Sequence, residues 1–345
     1  MAARYLFVND MPRRENYSRQ PRRNPLEFFT DEDLIKYFRM TRSEILLVCG
    51  LVRNEMECVG SREMDFSLEE KVLICLKTLG SGSFQNTSKD CLNASQPTVS
   101  KFLTKFVNAM IKVGSQFIYM PKNAADIVKV KNEFHQIAGF PGVLGCVDGS
   151  HIPIIAPSGE DEYAYVNRKN FHSINIQAVC DTNMCFCDIF ARCPGSAHDS
   201  FVMRQSGLYD RFEAGEFGSG WLLGDSGYAL KSWLMTPLAN PCTSAEKSYN
   251  ISHKKTRCLV ERAFGILKSR WRILDHTGGS MCYSPEKACK IIYTCCILHN
   301  ICRRNAAPII DVSPVAPDLD VHDDATDAPT ASGVAERERI VRLFS

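Results

Sequence analysis

The sequence predicts a mixed α/β sheet with flanking helices, preceded by an all-α, helix-turn-helix-like region. Three observations predict it. Apolar residues recur at helical spacing from about 28 to 120, the pattern changes at Gly139 to short apolar runs, and helical periodicity returns at about 253. Strands first paired as a meander and then joined through helices are the mark of a mixed sheet. The 345 residues suffice for two or three domains, with the apolar and charged content (45% and 23%) of an ordinary globular chain.

Residues 1–27 read as a basic flexible arm, with six arginines against Asp10 and Glu15 in the first 25 positions. In the helical region 28–120, Ser67 and Glu70 form a capping box, followed by Leu68, Val72, Cys75, Leu76 and Leu79 at helical spacing. A short polar helix over 85–91 and a turn at Leu92-Asn93-Ala94 lead to Ser95 as an N-cap, with Pro97 in the first helical turn. Val99, Phe102, Leu103, Phe106, Val107 and Met110 form the buried stripe of that helix. Lys101 and Lys105 face the other way and are candidate DNA contacts, the geometry of a helix that enters a major groove. A helical hairpin with solvated lysines fits the same pattern equally well.

Residues 121–305 hold the sheet. Ile127, Val130, Phe134 and Ile137 mark a further amphipathic helix, and 142–148 a buried strand ended by an acid. Residues 172–181 and 184–192 read as a hairpin turned at Asp181-Thr182-Asn183, and a helix starts near His198. Residues 221–225 form a second short strand ended by an acid, and 253–272 and 285–303 are helical. From 306 to 345 eight acids face three arginines, which predicts an acidic, mostly disordered tail with at most a last helical turn.

Sixteen cysteines are scattered through apolar runs without a spaced framework, so they read as reduced core residues. The first residues lack the apolar core of a signal peptide, which argues against secretion. No apolar run approaches the roughly 20 residues that span a bilayer, so no membrane is expected.

Asp148-Gly149 and Asp225-Ser226-Gly227 each follow a short buried strand. Carboxylates at the ends of neighbouring strands crowd two negative charges, which a cation would relieve. Magnesium or manganese, hard ions that prefer oxygen, are the natural occupants. A single Asp after a strand is more often a turn or cap residue. Glu261 flanks the apolar stripe Val260, Ala263, Phe264, Leu267 and Trp271, beside Arg257, Gly265, Lys268 and Arg272. Alone it would pass as an i,i+4 partner of Arg257. Gly265, costly inside a helix, suggests a close approach by another group. A phosphate backbone would suit the basic run Lys254, Arg257, Arg262, Lys268, Arg270 and Arg272.

Gly145-Cys-Val-Asp148-Gly-Ser-His151-Ile, Tyr165-Val-Asn-Arg168-Lys, Pro194-Gly-Ser-Ala-His198-Asp199-Ser, Leu223-Gly-Asp225-Ser-Gly-Tyr228 and Val260-Glu261-Arg262-Ala-Phe264-Gly265 together resemble the signature blocks of the PIF/Harbinger transposase superfamily. The likeness extends over about residues 28–305, and 35 residues lie between Asp225 and Glu261, a separation that suits DDE transposases. The resemblance implies an RNase H-like DDE nuclease core with Asp148, Asp225 and Glu261 as the catalytic, metal-holding triad and Asp199 as a fourth candidate ligand. The implied activity is metal-dependent DNA cleavage and strand transfer by two-metal in-line phosphoryl transfer. A domesticated DNA-binding regulator that keeps the fold without cutting is the competing reading. The family also implies DNA and a Myb-like protein as partners, a homo-oligomer, and residence in the nucleus with a cytoplasmic pool when the partner is absent.

Cys289, Cys295, His299 and Cys302 fall near one helical face, but their spacing matches no usual zinc finger and their segment is strongly apolar. Gly80-Ser-Gly-Ser83 lacks the lysine and strand of a phosphate-binding loop.

Overall fold

The computed structural model describes residues 24–57, 66–82, 94–276, 279–308 and 328–345. Helices α1 (Asp31–Phe38), α2 (Arg42–Met56) and α3 (Leu68–Ser81) each open with a capping box, Thr30 with Asp33, Thr41 with Glu44 and Ser67 with Glu70. Each pair satisfies backbone N–H groups that the helix itself leaves free. α3 stops at Gly82, whose φ of 61° suits glycine. α4 (Gln96–Lys112) starts at Ser95 and buries the stripe predicted for it. It packs on α2, α3 and α9 (Pro285–Arg304), so the helical region and the sheet share one continuous apolar core. The polar helix expected over 85–91, most of the turn after it, and nearly all of the basic arm lie outside the described residues.

The sheet has the order β3-β2-β1-β4-β5, from β1 (Val143–Pro153), β2 (Ser173–Cys180), β3 (Phe186–Pro194), β4 (Trp221–Leu223) and β5 (Leu234–Met235). β1 is antiparallel to β2 and parallel to β4. The β2–β3 turn is held by Asp181, whose Oδ1 accepts from Asn183 N and Cys185 N at 2.9 and 2.8 Å. β1 does not end at Asp148 as the apolar run suggested. It continues to Pro153, with Asp148 opposite Ala178 in the β2 ladder. Antiparallel pairing supplies partners for polar residues beyond the apolar run, so composition alone gave too early a stop.

Helix α5 (Ala124–Ala138) packs on β1 and α8 (Ser244–Arg270), and α8 lies along β1 and β2. α6 (Asp199–Gln205) packs on β2, with α7 (Gly207–Glu213) beside it. α8 begins nine residues before the expected 253, at a Thr243–Glu246 capping box that the apolar periodicity did not reveal. Its polar first turns still bury Tyr249, which donates to Thr236 O.

The tail also departs from expectation. Residues 309–327 lie outside the described residues, but Ala331–Val341 form a helix, α10, capped by Thr330. Thr330 N donates to Leu230 O, Ile340 is fully buried, and the Phe344 ring lies 5.6 Å from Phe140 and 6.0 Å from Tyr249. A few apolar residues at the end of an acidic segment suffice, because a ready-made apolar surface at Phe140 and on α8 receives them. No helix among the described residues is long and apolar enough to cross a membrane.

Candidate active site

Strand register brings the first two acids together. Cys146 lies opposite Leu223 in the parallel β1–β4 pair, so Asp148, within β1, and Asp225, just past β4, each two residues further on, reach the same level. β4 stops at Leu223, and Asp225 turns the chain by accepting from Gly227 N at 3.0 Å. Cys146 Sγ donates to Thr256 O of α8, which marks the face of β1 that α8 covers. Asp148 shares that face and meets α8 one residue on, where Arg257 Nη1 lies 3.3 Å from its Oδ2. Arg257 also pairs through Nη2 with Glu261, one turn along the helix.

Asp199 arrives from the other face. A Cβ built on Gly149 would stand 2.5 Å from Asp199 Oδ1, so glycine is what lets that carboxylate lie against β1 directly after Asp148. Asp199 is not the N-cap of α6. His198 holds that position, and Asp199 Oδ1 accepts from Asn175 Nδ2 at 3.2 Å. Ser200 Oγ donates to Gly227 O, tying this helix start to the Asp225 turn.

The electrostatics follow from this convergence. Burial pushes the Asp148 carboxyl well above the ordinary range, Asp225, Asp199 and Glu261 push it further, and Arg257 opposes them. Asp148, Glu261 and Asp225 in turn raise Arg257 against the effect of burial. Tyr228 is buried beside the same acids, and its hydroxyl has no hydrogen-bond partner among the described residues. Burial first, then Asp199, Asp148 and Asp225, raise its pKa well above the usual phenol range.

Every donor in this group is a carboxylate oxygen, the ligand hard divalent cations take, and the group already gathers around a cationic side chain. The donor chemistry therefore fits a divalent metal. Among the described residues, no three His, Cys, Asp or Glu side chains stand close enough to share one ion. In this arrangement Arg257 pairs with two of the acids, Asp148 and Glu261.

The basic residues divide. Lys101 and Lys254 are exposed, Lys105 is half-buried on α4, and Arg272 is exposed just past α8. Lys268 reaches back to β1, donating to His151 O at 3.2 Å. Arg257, expected along a phosphate-facing row, turns inward to the acids with its side chain 13% exposed. Arg270, expected in the same row, is buried and donates to Arg39 O and Pro308 O at 2.6 and 2.7 Å, because the helix rotation points it into the α3–α8 junction. A Cβ on Gly265 would meet nothing within 4 Å, so no group among the described residues makes the close approach that this glycine suggested.

Sequence reasoning missed Asn175, Tyr228 and the inward role of Arg257. The i,i+4 spacing of Arg257 and Glu261 did signal their pairing. The contact of Arg257 with Asp148 depends on where α8 crosses β1, which no local pattern encodes.

A mixed sheet that presents acids from β1, from the turn after β4 and from a following helix defines a nuclease-like α/β protein, and similarity to known proteins agrees. Residues 147–300 match the model of a DDE superfamily endonuclease domain. "Putative nuclease HARBI1" of Bos taurus is 41% identical over 276 residues, 80% of this chain and 79% of that protein. Its Mus musculus counterpart is 37% identical over 315 residues, 91% and 90% of the two chains. "Protein ALP1-like" of Arabidopsis thaliana is 29% identical over 308 residues, 83% of this chain and 74% of that protein. No solved structure matches the chain. The chain belongs to the Harbinger transposase-derived nuclease family. Endonucleases of the DDE superfamily generally work with divalent cations.

Proposed function

We propose that this protein is a magnesium- or manganese-dependent DNA endonuclease and strand-transferase built on an RNase H-like core. The observation that carries the reading is the convergence of Asp225, Asp199 and Glu261 on Asp148, in the middle of β1 beside the end of β4. The strand order β3-β2-β1-β4-β5, with β1 antiparallel to β2 and parallel to β4, supports the RNase H-like assignment.

In this reading Asp148, Asp225 and Glu261 hold the cations, and Asp199, fixed by Asn175, is a further ligand. The bound ions would supply activation of a water or 3′-hydroxyl and stabilisation of the leaving oxygen at phosphorus. The chain itself supplies position. Burial of Asp148 against α8 limits water around the reacting phosphate, which strengthens each charge interaction. Lys254, Lys268 and Arg272 accompany α8 and would bind the DNA backbone, while Lys101 and Lys105 would contact DNA through a helix-turn-helix-like α4. A Myb-like partner that carries the protein into the nucleus, a cytoplasmic pool without it, and homo-oligomerisation on DNA belong to the same proposal and rest on the family resemblance.

The competing reading, a DNA-binding regulator that no longer cuts, is favoured by one feature: Arg257 already pairs with two of the acids, Asp148 and Glu261. Nicking of supercoiled DNA in Mg²⁺ or Mn²⁺ separates the two. Metal-dependent nicking that drops roughly 10²-fold or more in Glu261→Gln is expected, on the scale of removing one group that stabilises transition-state charge. DNA binding without metal-dependent nicking would leave the regulator.

A further inference from the structure

Arg257 is the basic residue of α8 found inside the acid group rather than on the outer face. One guanidinium nitrogen meets Asp148 and another meets Glu261, with the arginine side chain 13% and Asp148 17% exposed. A pair this enclosed is weakly screened by salt, unlike an ordinary surface ion pair.

We infer that Arg257 is a resident counter-ion that competes with divalent cations for Asp148 and Glu261, so that the site loads only when this side chain swings out. The inference rests on the divalent-cation reading of the site given above. A guanidinium is a planar fork that stays charged at all accessible pH and takes a different carboxylate on each nitrogen. It therefore spreads Asp148 and Glu261 around itself. A metal ion needs the opposite, oxygens converging on one point at about 2.0–2.1 Å for magnesium. That no three acidic or other ligating side chains among the described residues share such a point is what a bridging guanidinium would produce. The two cations exclude each other by charge and by space.

The same chemistry says where Arg257 goes. Its fork fits a phosphate as well as a carboxylate, and exposed Lys254 lies within one turn of it on α8. A DNA backbone lying there offers the displaced arginine a new partner. Binding of DNA and binding of metal should then be positively coupled, each making the other tighter by the same factor.

The test is Mn²⁺ binding to the full-length protein, measured by calorimetry or by the electron paramagnetic resonance of free Mn²⁺, without any readout of cleavage. Arg257→Gln should bind Mn²⁺ about tenfold more tightly than the wild type in the absence of DNA, within the usual range of coupling between two sites. A short duplex should tighten Mn²⁺ binding of the wild type and leave Arg257→Gln unchanged. Arg257→Lys, whose single ammonium cannot take both carboxylates at once, should lie between them and serves if the glutamine variant does not fold. Mn²⁺ binding to both variants that is equal to or weaker than the wild type would overturn the competition while leaving the metal site in place. No Mn²⁺ binding at millimolar concentration by the wild type or by either variant would instead overturn the divalent-cation reading, and the competition with it.

Discussion

Two groups of side chains in this molecule have the composition of a metal site, and the fold treats them in opposite ways. Beside the middle of β1 and the end of β4, Asp148, Asp225, Asp199 and Glu261 are crowded, and Arg257 pairs with two of them. On α9, Cys295, His299 and Cys302 are fully buried among apolar neighbours. The His299 ring lies 4.9 Å from that of Phe186, and its Nε2 is 2.8 Å from Met184 O. Burial pushes His299 down to about 3 and Cys302 up to about 12, and raises Cys295 well above the thiol range. The α9 group is a neutral imidazole and protonated thiols, each behaving as a core residue. Ligand-type residues in proximity therefore do not identify a site. The distinction is whether the surroundings set several acids against one another and against a cationic side chain, or bury neutral groups singly among apolar neighbours.

The largest expected effect concerns the neutral side of that contrast. Buried His299 and His253, the latter pushed down to about 4 chiefly by burial, are held neutral while their unfolded counterparts titrate near 6.5. Below pH 6.5 the unfolded chain binds more protons, so stability falls as pH falls, by up to about 1.4 kcal/mol per pH unit for each imidazole. The loss runs from 6.5 to about 4 for His253 and to about 3 for His299. Denaturant titrations should show a shallower acid limb in His299→Gln. Asp148 contributes with the opposite sign. Its raised pKa means that the folded state binds the extra proton, so its share of stability falls as pH rises above the ordinary carboxyl range.

Next in size is the response to metal. Mn²⁺ at about 100 times its dissociation constant should stabilise the wild type by about 2.7 kcal/mol, visible as a rise in Tm that a chelator reverses. The Asp148→Ala, Asp225→Ala double variant should lose that rise, whereas Cys295→Ala, Cys302→Ala should keep it. An equal loss in both would erase the distinction between the groups. The cysteine variant should instead be about 1–2 kcal/mol less stable with or without metal, because it opens small cavities in a closed core. Zinc should give the wild type no stabilisation that this variant lacks.

The smallest change concerns Asp199. Gly149→Ala places a methyl group 2.5 Å from Asp199 Oδ1, so the carboxylate held by Asn175 must shift. Weakening of Mn²⁺ binding by a few-fold, with Tm changed by only a degree or two, is expected if Asp199 is a ligand. Unchanged Mn²⁺ binding would remove it from the site.

Most of the scaffold was legible in the sequence, because local signals specify local structure. The Ser67–Glu70 capping box, the stripe of α4, the hairpin at Asp181 and the mixed sheet all follow from short patterns. What local patterns missed depends on partners distant in the chain. β1 runs past Asp148 because β2 is there to pair with it, α8 starts early at a polar capped turn, and α10 forms because Phe140 and Tyr249 receive Phe344. The acids Asp148 and Asp225 could be singled out from their strands, though Glu261 rose above a surface ion pair mainly through the family blocks. The inward turn of Arg257 and the support of Asp199 by Asn175 and Gly149 arise from the crossing of elements, which only the assembled fold reveals.

The central claim is that chemistry resides in the acid group between the middle of β1 and the end of β4 and not in the neutral group on α9. Nicking of supercoiled DNA in Mn²⁺ tests it most directly, comparing the wild type with Asp148→Ala, Asp225→Ala and with Cys295→Ala, Cys302→Ala. Nicking should disappear in the acid variant and persist within a few-fold of the wild type in the cysteine variant. Nicking that survives loss of both acids, or that vanishes with the cysteines in a folded protein, would contradict the claim.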